Sequence, residues 1–241
     1  MLDSLGHALL RGGQIGDDTS TDFRRYDGDA CATTICFLPW QMPFRLAFAV
    51  GLVPRHHLAC YEMPPAIVSS EPELCIRALR EVAHDAAGVA ERARIDAAQL
   101  LVVGLSIGNA VATYFANRLG ARLCSIASAD RGDLTLWESP ASRQIRDLAE
   151  AKGYRLRDFT RALKGYHAVE NLENLAPGSR FIFGLRDEFV PKSRTDGLAT
   201  AVRSVLPAAE ITYLDAGHIG TMIETVKRGF VEPPAAHLAR A

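Results

Sequence analysis

The feature that most constrains the fold is an alternation of short, almost continuously apolar runs with longer segments of helical periodicity. A run that is apolar at every position is typical of a strand buried on both faces, as in a parallel sheet covered by helices. The runs that predict strands are residues 34–38, 100–104, 122–127 and 180–184, with weaker candidates at 57–61 and 210–214.

The intervening segments each carry one apolar stripe at helical spacing. These segments are residues 70–89, 111–119 and 198–206. Pro72 suits the first turn of its helix, and Gly120 suits the position after a helix end. Strand alternating with helix predicts right-handed crossovers, so we expect an α/β fold with a doubly wound, mostly parallel central sheet flanked by helices.

One stretch interrupts this rhythm. Residues 129–178 contain no convincing strand but at least two helical pieces, at about 139–153 and 156–163. We expect a helical lid inserted at about 129–178, following the strand after the central helix, within a single domain of residues 1–241. Residues 232–241 have the composition of a frayed tail.

Composition excludes several classes of function. The formal net charge of −1 argues against nucleic acid as the main ligand, because phosphate binding needs a basic surface. No run of about 18 apolar residues would span a membrane, and the first residues lack the pattern of a signal peptide. The five cysteines show no metal-ligand spacing, so we expect reduced thiols and a cytoplasmic location. The oligomeric state is open.

A Gly-Leu-Ser-Ile-Gly motif, with Ser106 at its centre, falls where the strand at 100–104 meets the next helix. Gly104 and Gly108 would let the backbones pass closely in a sharp bend that exposes the serine hydroxyl. The N–H of Ile107 would then lie at a helix start, where a developing oxyanion is favoured. A glycine-rich turn without chemistry is the alternative, and the two partner residues downstream argue against it.

The chain resembles the α/β-hydrolase superfamily from about residue 33 to about residue 230. That family carries its triad in the order serine, acid, histidine. Here Ser106 is followed by Asp187, in a Gly-Leu-Arg-Asp-Glu-Phe-Val-Pro turn, and by His218, in an Ala-Gly-His-Ile-Gly loop. The resemblance implies Ser106 as nucleophile, His218 as general base and Asp187 as the acid that orients the histidine.

Three other carboxylates compete with Asp187 for the acid role. Asp130 follows the strand at 122–127, a position from which some relatives supply the carboxylate. Asp215 is only three residues from His218, and Glu188 adjoins Asp187. The adjacent His56 and His57 precede a strand, at the wrong end of the sheet for a site, and we expect them to face solvent.

The second oxyanion donor is where the chain departs from the family pattern. Relatives usually carry a His-Gly pair after the strand that corresponds to residues 34–38, whereas this chain has Pro39, Trp40 and Gln41. Proline has no N–H, so the donor would be the backbone of Gln41 or Trp40, and position favours Gln41. Trp40 could wall the acyl pocket or pack in the core.

A serine nucleophile implies acyl transfer that needs no metal or cofactor. The leading hypothesis is hydrolysis of a small to medium apolar ester or thioester through an acyl-enzyme, with a small molecule as the binding partner. A lactonase, a carbon–carbon hydrolase or lyase, and a catalytically silent binding protein are the alternatives. Aromatic or imidazole side chains of the insertion could line the pocket or only pack the lid; they are Trp137, Tyr154, Phe159, Tyr166 and His167.

Overall fold

A computed structural model of the chain describes residues 19–229. The predicted C-terminal tail at 232–241 lies outside the described residues. The described strands are β1 (Arg24–Asp27), β2 (Thr34–Phe37), β3 (Ala59–Glu62), β4 (Leu101–Leu105), β5 (Arg122–Ile126), β6 (Arg180–Gly184) and β7 (Glu210–Leu214). The described α-helices are α1 (Phe44–Ala49), α2 (Pro72–Arg92), α3 (Gly108–Leu119), α4 (Gly132–Glu138), α5 (Arg143–Ala151), α6 (Leu156–Ala162), α7 (Lys192–Val205) and α8 (His218–Lys227).

The strands form one mostly parallel sheet in the order β1-β3-β2-β4-β5-β6-β7. Only β1 is antiparallel to its neighbour in this sheet. All six predicted strands are confirmed, and every residue of β2 and β4 is buried, as a continuous apolar run requires. The predicted α/β fold class is therefore confirmed.

Helices cover both faces of the sheet because neighbouring strand residues point in opposite directions. Ile35 and Phe37 face a large core formed with α2, α3 and α7. Cys36, between them in the sequence, faces a second core formed with α1 and α8. The Gly-Leu-Ser-Ile-Gly motif lies between these two cores, at the end of the central strand β4.

The segment between β5 and β6 contains the helices α4, α5 and α6 and no strand. Leu136, Ile145 and Phe159, one from each of these helices, form a small separate core with Cys75 of α2. These three inserted helices, which with their connections form the insertion at residues 129–178, therefore pack on one another and over the beginning of α2. The predicted helix at 139–153 is a short 3₁₀ turn (Pro140–Ser142) followed by α5, and α4 is an element that the sequence did not reveal.

Three other elements were also missed: β1, α1 and α8, which begins at His218, a residue that the sequence analysis placed in a loop. β1 has the sequence Arg-Arg-Tyr-Asp and lies at the sheet edge with its end residues exposed, so it carries no apolar run. α1 has only six residues, too few for a helical stripe to stand out. His57 corrects a further expectation, because it is buried and its ring packs near Phe44, whereas His56 is exposed as expected.

Candidate active site

Ser106 occupies the bend between β4 and α3. Its φ of 52° lies in the left-handed region, which side chains other than glycine adopt rarely and at a cost of about 1–3 kcal/mol. Its backbone N–H donates to the carbonyl oxygen of Ile126, at the end of the neighbouring strand β5, at 3.0 Å. The left-handed bend is the geometry that the glycine-serine-glycine motif predicts.

The two glycines of the motif are required by close packing. A Cβ at Gly104 would lie 2.5 Å from Oδ1 of Asn109. A Cβ at Gly108 would collide with the carbonyl oxygen of Phe37, at the end of β2. The start of α3 therefore rests directly against the backbone from which the loop at residues 39–43 departs.

His218 connects the serine to the acid. Its Nε2 lies 2.7 Å from Oγ of Ser106, and its Nδ1 lies 2.7 Å from Oδ2 of Asp187. The side chains of His218 and Asp187 are only 5% and 4% exposed, so water screens this interaction little. The three residues that the sequence singled out thus form one continuous hydrogen-bonded chain.

The Asp187 carboxylate is held from its other side by the backbone. Its Oδ1 accepts hydrogen bonds from the N–H groups of Phe189 at 2.9 Å and Val190 at 2.8 Å. These bonds orient the carboxylate so that Oδ2 is left for the imidazole. The Gly-Leu-Arg-Asp-Glu-Phe-Val-Pro turn thus orients Oδ2 of Asp187 toward the imidazole.

The competing carboxylates have other partners. Asp130 lies 3.4 Å from Nη1 of Arg194, and burial raises the pKa of this carboxyl above its ordinary value although Arg194 opposes the shift. Asp215 pairs with Arg186 at 2.9 Å. Glu188 accepts a hydrogen bond from the backbone N–H of His218 at 3.1 Å.

Two backbone N–H groups stand near the serine as candidate oxyanion donors. Neither Ile107 nor Gln41 donates its N–H to another residue within 19–229, so both are available to a ligand. Gln41 has a φ of 56°, and Met42 N–H donates to the Pro39 carbonyl oxygen at 3.2 Å, which closes a turn around residues 40 and 41. Trp40 lies in the same turn, with its indole Nε1 buried and without a protein partner.

Ser106 opens into a cavity of about 910 Å³. Apolar side chains line it on both sides of the serine. On the side of α1 and α8 these include Leu46, Val50 and Met222, and on the side of α2 and the inserted helices they include Ile67, Leu136 and Ile145. The cavity is large enough for a substrate of drug-like size.

Comparison with solved structures identifies the architecture. The chain is similar to a Thermus thermophilus protein at a TM-score of 0.56 and 17% identity, over 91% of this chain and 97% of that one. It is similar to an S-formylglutathione hydrolase of Agrobacterium tumefaciens at a TM-score of 0.55 and 13% identity, over 86% and 87% of the two chains. A carboxylesterase structure of Nitrososphaera gargenis aligns at a TM-score of 0.50 and 14% identity, over 87% and 90%.

The chain has the α/β-hydrolase fold. No protein-family model matches the sequence, and no curated protein matches it. The α/β-hydrolase fold places the ends of β4, β6 and β7 at one edge of the sheet, where Ser106, Asp187 and His218 follow them. The loop that follows β2, residues 38–43, contains no glycine.

The inserted helices contribute only part of their aromatic side chains to the cavity. Tyr166 and His167 line it, whereas Trp137, Tyr154 and Phe159 belong to the small core of the insertion. The insertion therefore lines the cavity with both aliphatic and polar side chains. Both readings of these five residues thus hold in part.

A buried carboxylate ties the insertion together. Asp133 of α4 is fully buried and accepts hydrogen bonds from Arg131, with Nη2 at 2.6 Å, and from Thr160 of α6 at 2.5 Å. Its Oδ1 lies 3.6 Å from Nε2 of His167. Although burial works in the opposite direction, these hydrogen bonds keep the pKa of Asp133 below its ordinary value.

One residue that holds the site escaped the sequence analysis. Asn109 donates from Nδ2 to the carbonyl oxygens of Ser106 at 3.0 Å and Ile126 at 2.8 Å, which locks the bend against β5. Its position three residues after the serine is the only signal that the sequence offers.

Among residues 19–229, no group of histidine, cysteine and carboxylate side chains is arranged to hold a metal ion. Within the same range, no helix is long and apolar enough to cross a membrane.

Proposed function

We propose that this protein is a serine hydrolase that cleaves a carboxylic ester or thioester through an acyl-enzyme. The observation that carries the proposal is the hydrogen-bonded chain from Ser106 through His218 to Asp187, with both bonds at 2.7 Å. A serine hydroxyl is a poor nucleophile unless a positioned base removes its proton, and this chain supplies the base and its orienting carboxylate.

In the acylation step, Oγ of Ser106 attacks the carbonyl carbon while Nε2 of His218 takes the hydroxyl proton. The carbonyl oxygen becomes an oxyanion, which the N–H groups of Ile107 and Gln41 stabilise. Collapse of the tetrahedral intermediate breaks the bond to the alcohol or thiol, which leaves with the proton from His218. The product of this step is the Ser106 ester of the acyl group.

Deacylation repeats these steps with water. His218 removes a proton from a water molecule, which attacks the acyl carbonyl, and the returning proton restores the Ser106 hydroxyl. Asp187 fixes the imidazole tautomer with Nδ1 protonated and stabilises the imidazolium that forms twice per cycle.

The lining of the cavity supports an apolar substrate of small to medium size. Its lining outside residues 129–178 is mostly apolar, and more than half of its polar side chains lie within that segment. Burial of apolar area against such a surface stabilises the complex by about 25 cal/mol per Å². Hydrolysis of uncharged esters with aliphatic or aromatic groups is therefore the favoured reaction.

A substrate panel tests the proposal. Wild-type enzyme and Ser106→Ala are assayed against p-nitrophenyl esters, acyl thioesters and lactones of increasing chain length. We expect turnover of at least one uncharged ester or thioester, and a loss on the order of 10⁴–10⁶-fold in Ser106→Ala. Turnover of lactones alone would move the assignment to a lactonase. Equal rates for folded wild-type and Ser106→Ala protein would refute the serine mechanism.

A further inference from the structure

The loop that carries Gln41 is built without the glycine that its geometry calls for. A left-handed φ costs a residue with a side chain about 1–3 kcal/mol, so such a conformation persists only where the surroundings enforce it. Gln41 has a φ of 56°, and its N–H is a proposed oxyanion donor. The structure must therefore contain contacts that hold this loop in place.

Residues at the end of β3 accept hydrogen bonds from both ends of the loop. Upstream, the N–H of Leu38 donates to the carbonyl oxygen of Tyr61 at 2.9 Å. Downstream, the N–H of Phe44 donates to Oε1 of Glu62 at 2.5 Å. The upstream contact joins two backbone groups and does not depend on residue type. The downstream contact uses the Glu62 side chain, so a substitution at Glu62 would change how the loop is held.

Glu62 is itself fixed by the edge strand. The hydroxyl of Tyr26 on β1 donates to the same Oε1 at 3.0 Å, and the Tyr26 ring stacks on Phe44 with centroids 4.3 Å apart. The half-buried carboxylate therefore joins β1, β3 and the start of α1. This cluster has no part in the chain from Ser106 to Asp187.

We propose that Glu62 is a positioning residue for the oxyanion-stabilising loop: by holding the Phe44 N–H it keeps the Gln41 N–H aimed at the reacting carbonyl oxygen. The inference rests on the proposed function. Loss of one oxyanion donor costs about 10²–10³-fold in kcat, and a displacement of about 1 Å can cost about 100-fold. Ground-state binding of an apolar ester does not depend on this contact.

The test compares Glu62→Ala, Glu62→Gln and Tyr26→Phe. Glutamine keeps a carbonyl oxygen that can accept from Phe44, and Tyr26→Phe removes the other partner of Glu62 while leaving the Phe44 bond. For Glu62→Ala we expect kcat on a p-nitrophenyl ester to fall about 10–100-fold with KM changed less than about threefold. For Glu62→Gln and Tyr26→Phe we expect kcat within about threefold of wild type.

Two further readouts separate positioning from loss of fold. A trifluoromethyl ketone, which forms an oxyanion on the serine, should bind Glu62→Ala more weakly by the same factor as kcat. Amide hydrogen exchange of the peptide around residues 38–46 should accelerate in Glu62→Ala and not in Glu62→Gln, with thermal unfolding still cooperative.

The outcomes distinguish this inference from the proposed function. Unchanged kcat in Glu62→Ala, or unchanged exchange in the loop, would overturn the positioning role while wild-type turnover leaves the hydrolase intact. An equal rise in KM and fall in kcat for all three variants would indicate a general structural role and would also overturn it. Absence of ester turnover by wild type would refute the hydrolase, whereas the exchange measurement would still decide whether Glu62 holds the loop.

Discussion

Two residues of the site sit in backbone conformations that ordinary side chains avoid. Ser106 and Gln41 both have left-handed φ values, of 52° and 56°. Both residues line the cavity, Ser106 as the proposed nucleophile and Gln41 as the proposed oxyanion donor. Arg94 and Ala127 also have a left-handed φ of 53°, so such strain is not confined to the site, but at Ser106 and Gln41 it fixes a hydroxyl and an N–H on which the proposed reaction depends.

Single substitutions test which carboxylate, Asp187 or Asp130, orients His218. We expect Asp187→Asn to lower kcat by about 10³–10⁴-fold, because the amide would favour the wrong imidazole tautomer and could not stabilise the imidazolium. Asp130→Asn is the matched control, since Asp130 pairs with Arg194 and not with the histidine; we expect its kcat within about threefold of wild type. Steady-state kinetics on one ester would reveal the reverse pattern if Asp130 were the acid.

Sequence motifs predicted the candidate catalytic residues but not the residues that hold them in place. Ser106, Asp187 and His218 each lie in a short pattern with glycine or proline nearby. Asn109 and Glu62 act on backbone groups far away in the sequence, and no local pattern marks such contacts. The loop after β2 was predicted only in part. The sequence showed that it lacks the family's His-Gly pair, but not which contacts hold it in place.

At the scale of elements, apolar continuity was the reliable signal. Six strands were predicted from it, whereas the polar edge strand β1 and the six-residue helix α1 lack any such run or stripe. α4 was missed because it is only seven residues long and no capping side chain marks its start. Long-range contacts stabilise these short elements, and a single sequence does not display them.

The inserted helices depend on one buried carboxylate. Asp133 joins α4 to Thr160 of α6 and is paired with Arg131. We expect Asp133→Asn to lower the free energy of unfolding by about 1–3 kcal/mol at pH 7, because a charge-assisted pair is lost in a buried place. Asp147→Asn on the exposed face of α5 is the control and should change stability by less than about 0.5 kcal/mol. Urea unfolding measures both.

The same carboxylate gives the insertion a defined pH dependence. The folded pKa of Asp133 lies below its ordinary value, so its contribution is fully present above the unfolded pKa of about 3.9. The contribution is lost as the pH falls through the folded pKa, where the carboxylate is protonated. The stability difference between wild type and Asp133→Asn should therefore shrink below about pH 4. A difference that grew with acidification would contradict this account.

At the scale of the whole molecule, the site exists because parallel strands end at one edge. Segments that follow β2, β4, β6 and β7 bring the loop at residue 41, Ser106, Asp187 and His218 together. These residues span more than half of the described chain, so only the completed sheet assembles them. The order of the motifs in the sequence was sufficient to predict that Ser106, Asp187 and His218 lie close together.

The cavity was harder to predict from the sequence than the candidate catalytic residues. Its walls come from both faces of the sheet and from the inserted helices, and their separation depends on packing that a sequence does not show. Tyr166 and His167 reach the cavity while Trp137 and Phe159 do not, although all four are equally plausible candidates by residue type. Substrate range is therefore a matter for the panel described above.

Covalent labelling tests the central claim most directly, because it reports on the serine itself without any assumption about the substrate. The protein is treated with a fluorophosphonate, and the modified peptide is located by mass spectrometry. We predict stoichiometric modification at Ser106, absent in Ser106→Ala and strongly slowed in His218→Ala. Folded wild-type protein that remains unlabelled, or that is labelled equally well in Ser106→Ala, would contradict the account.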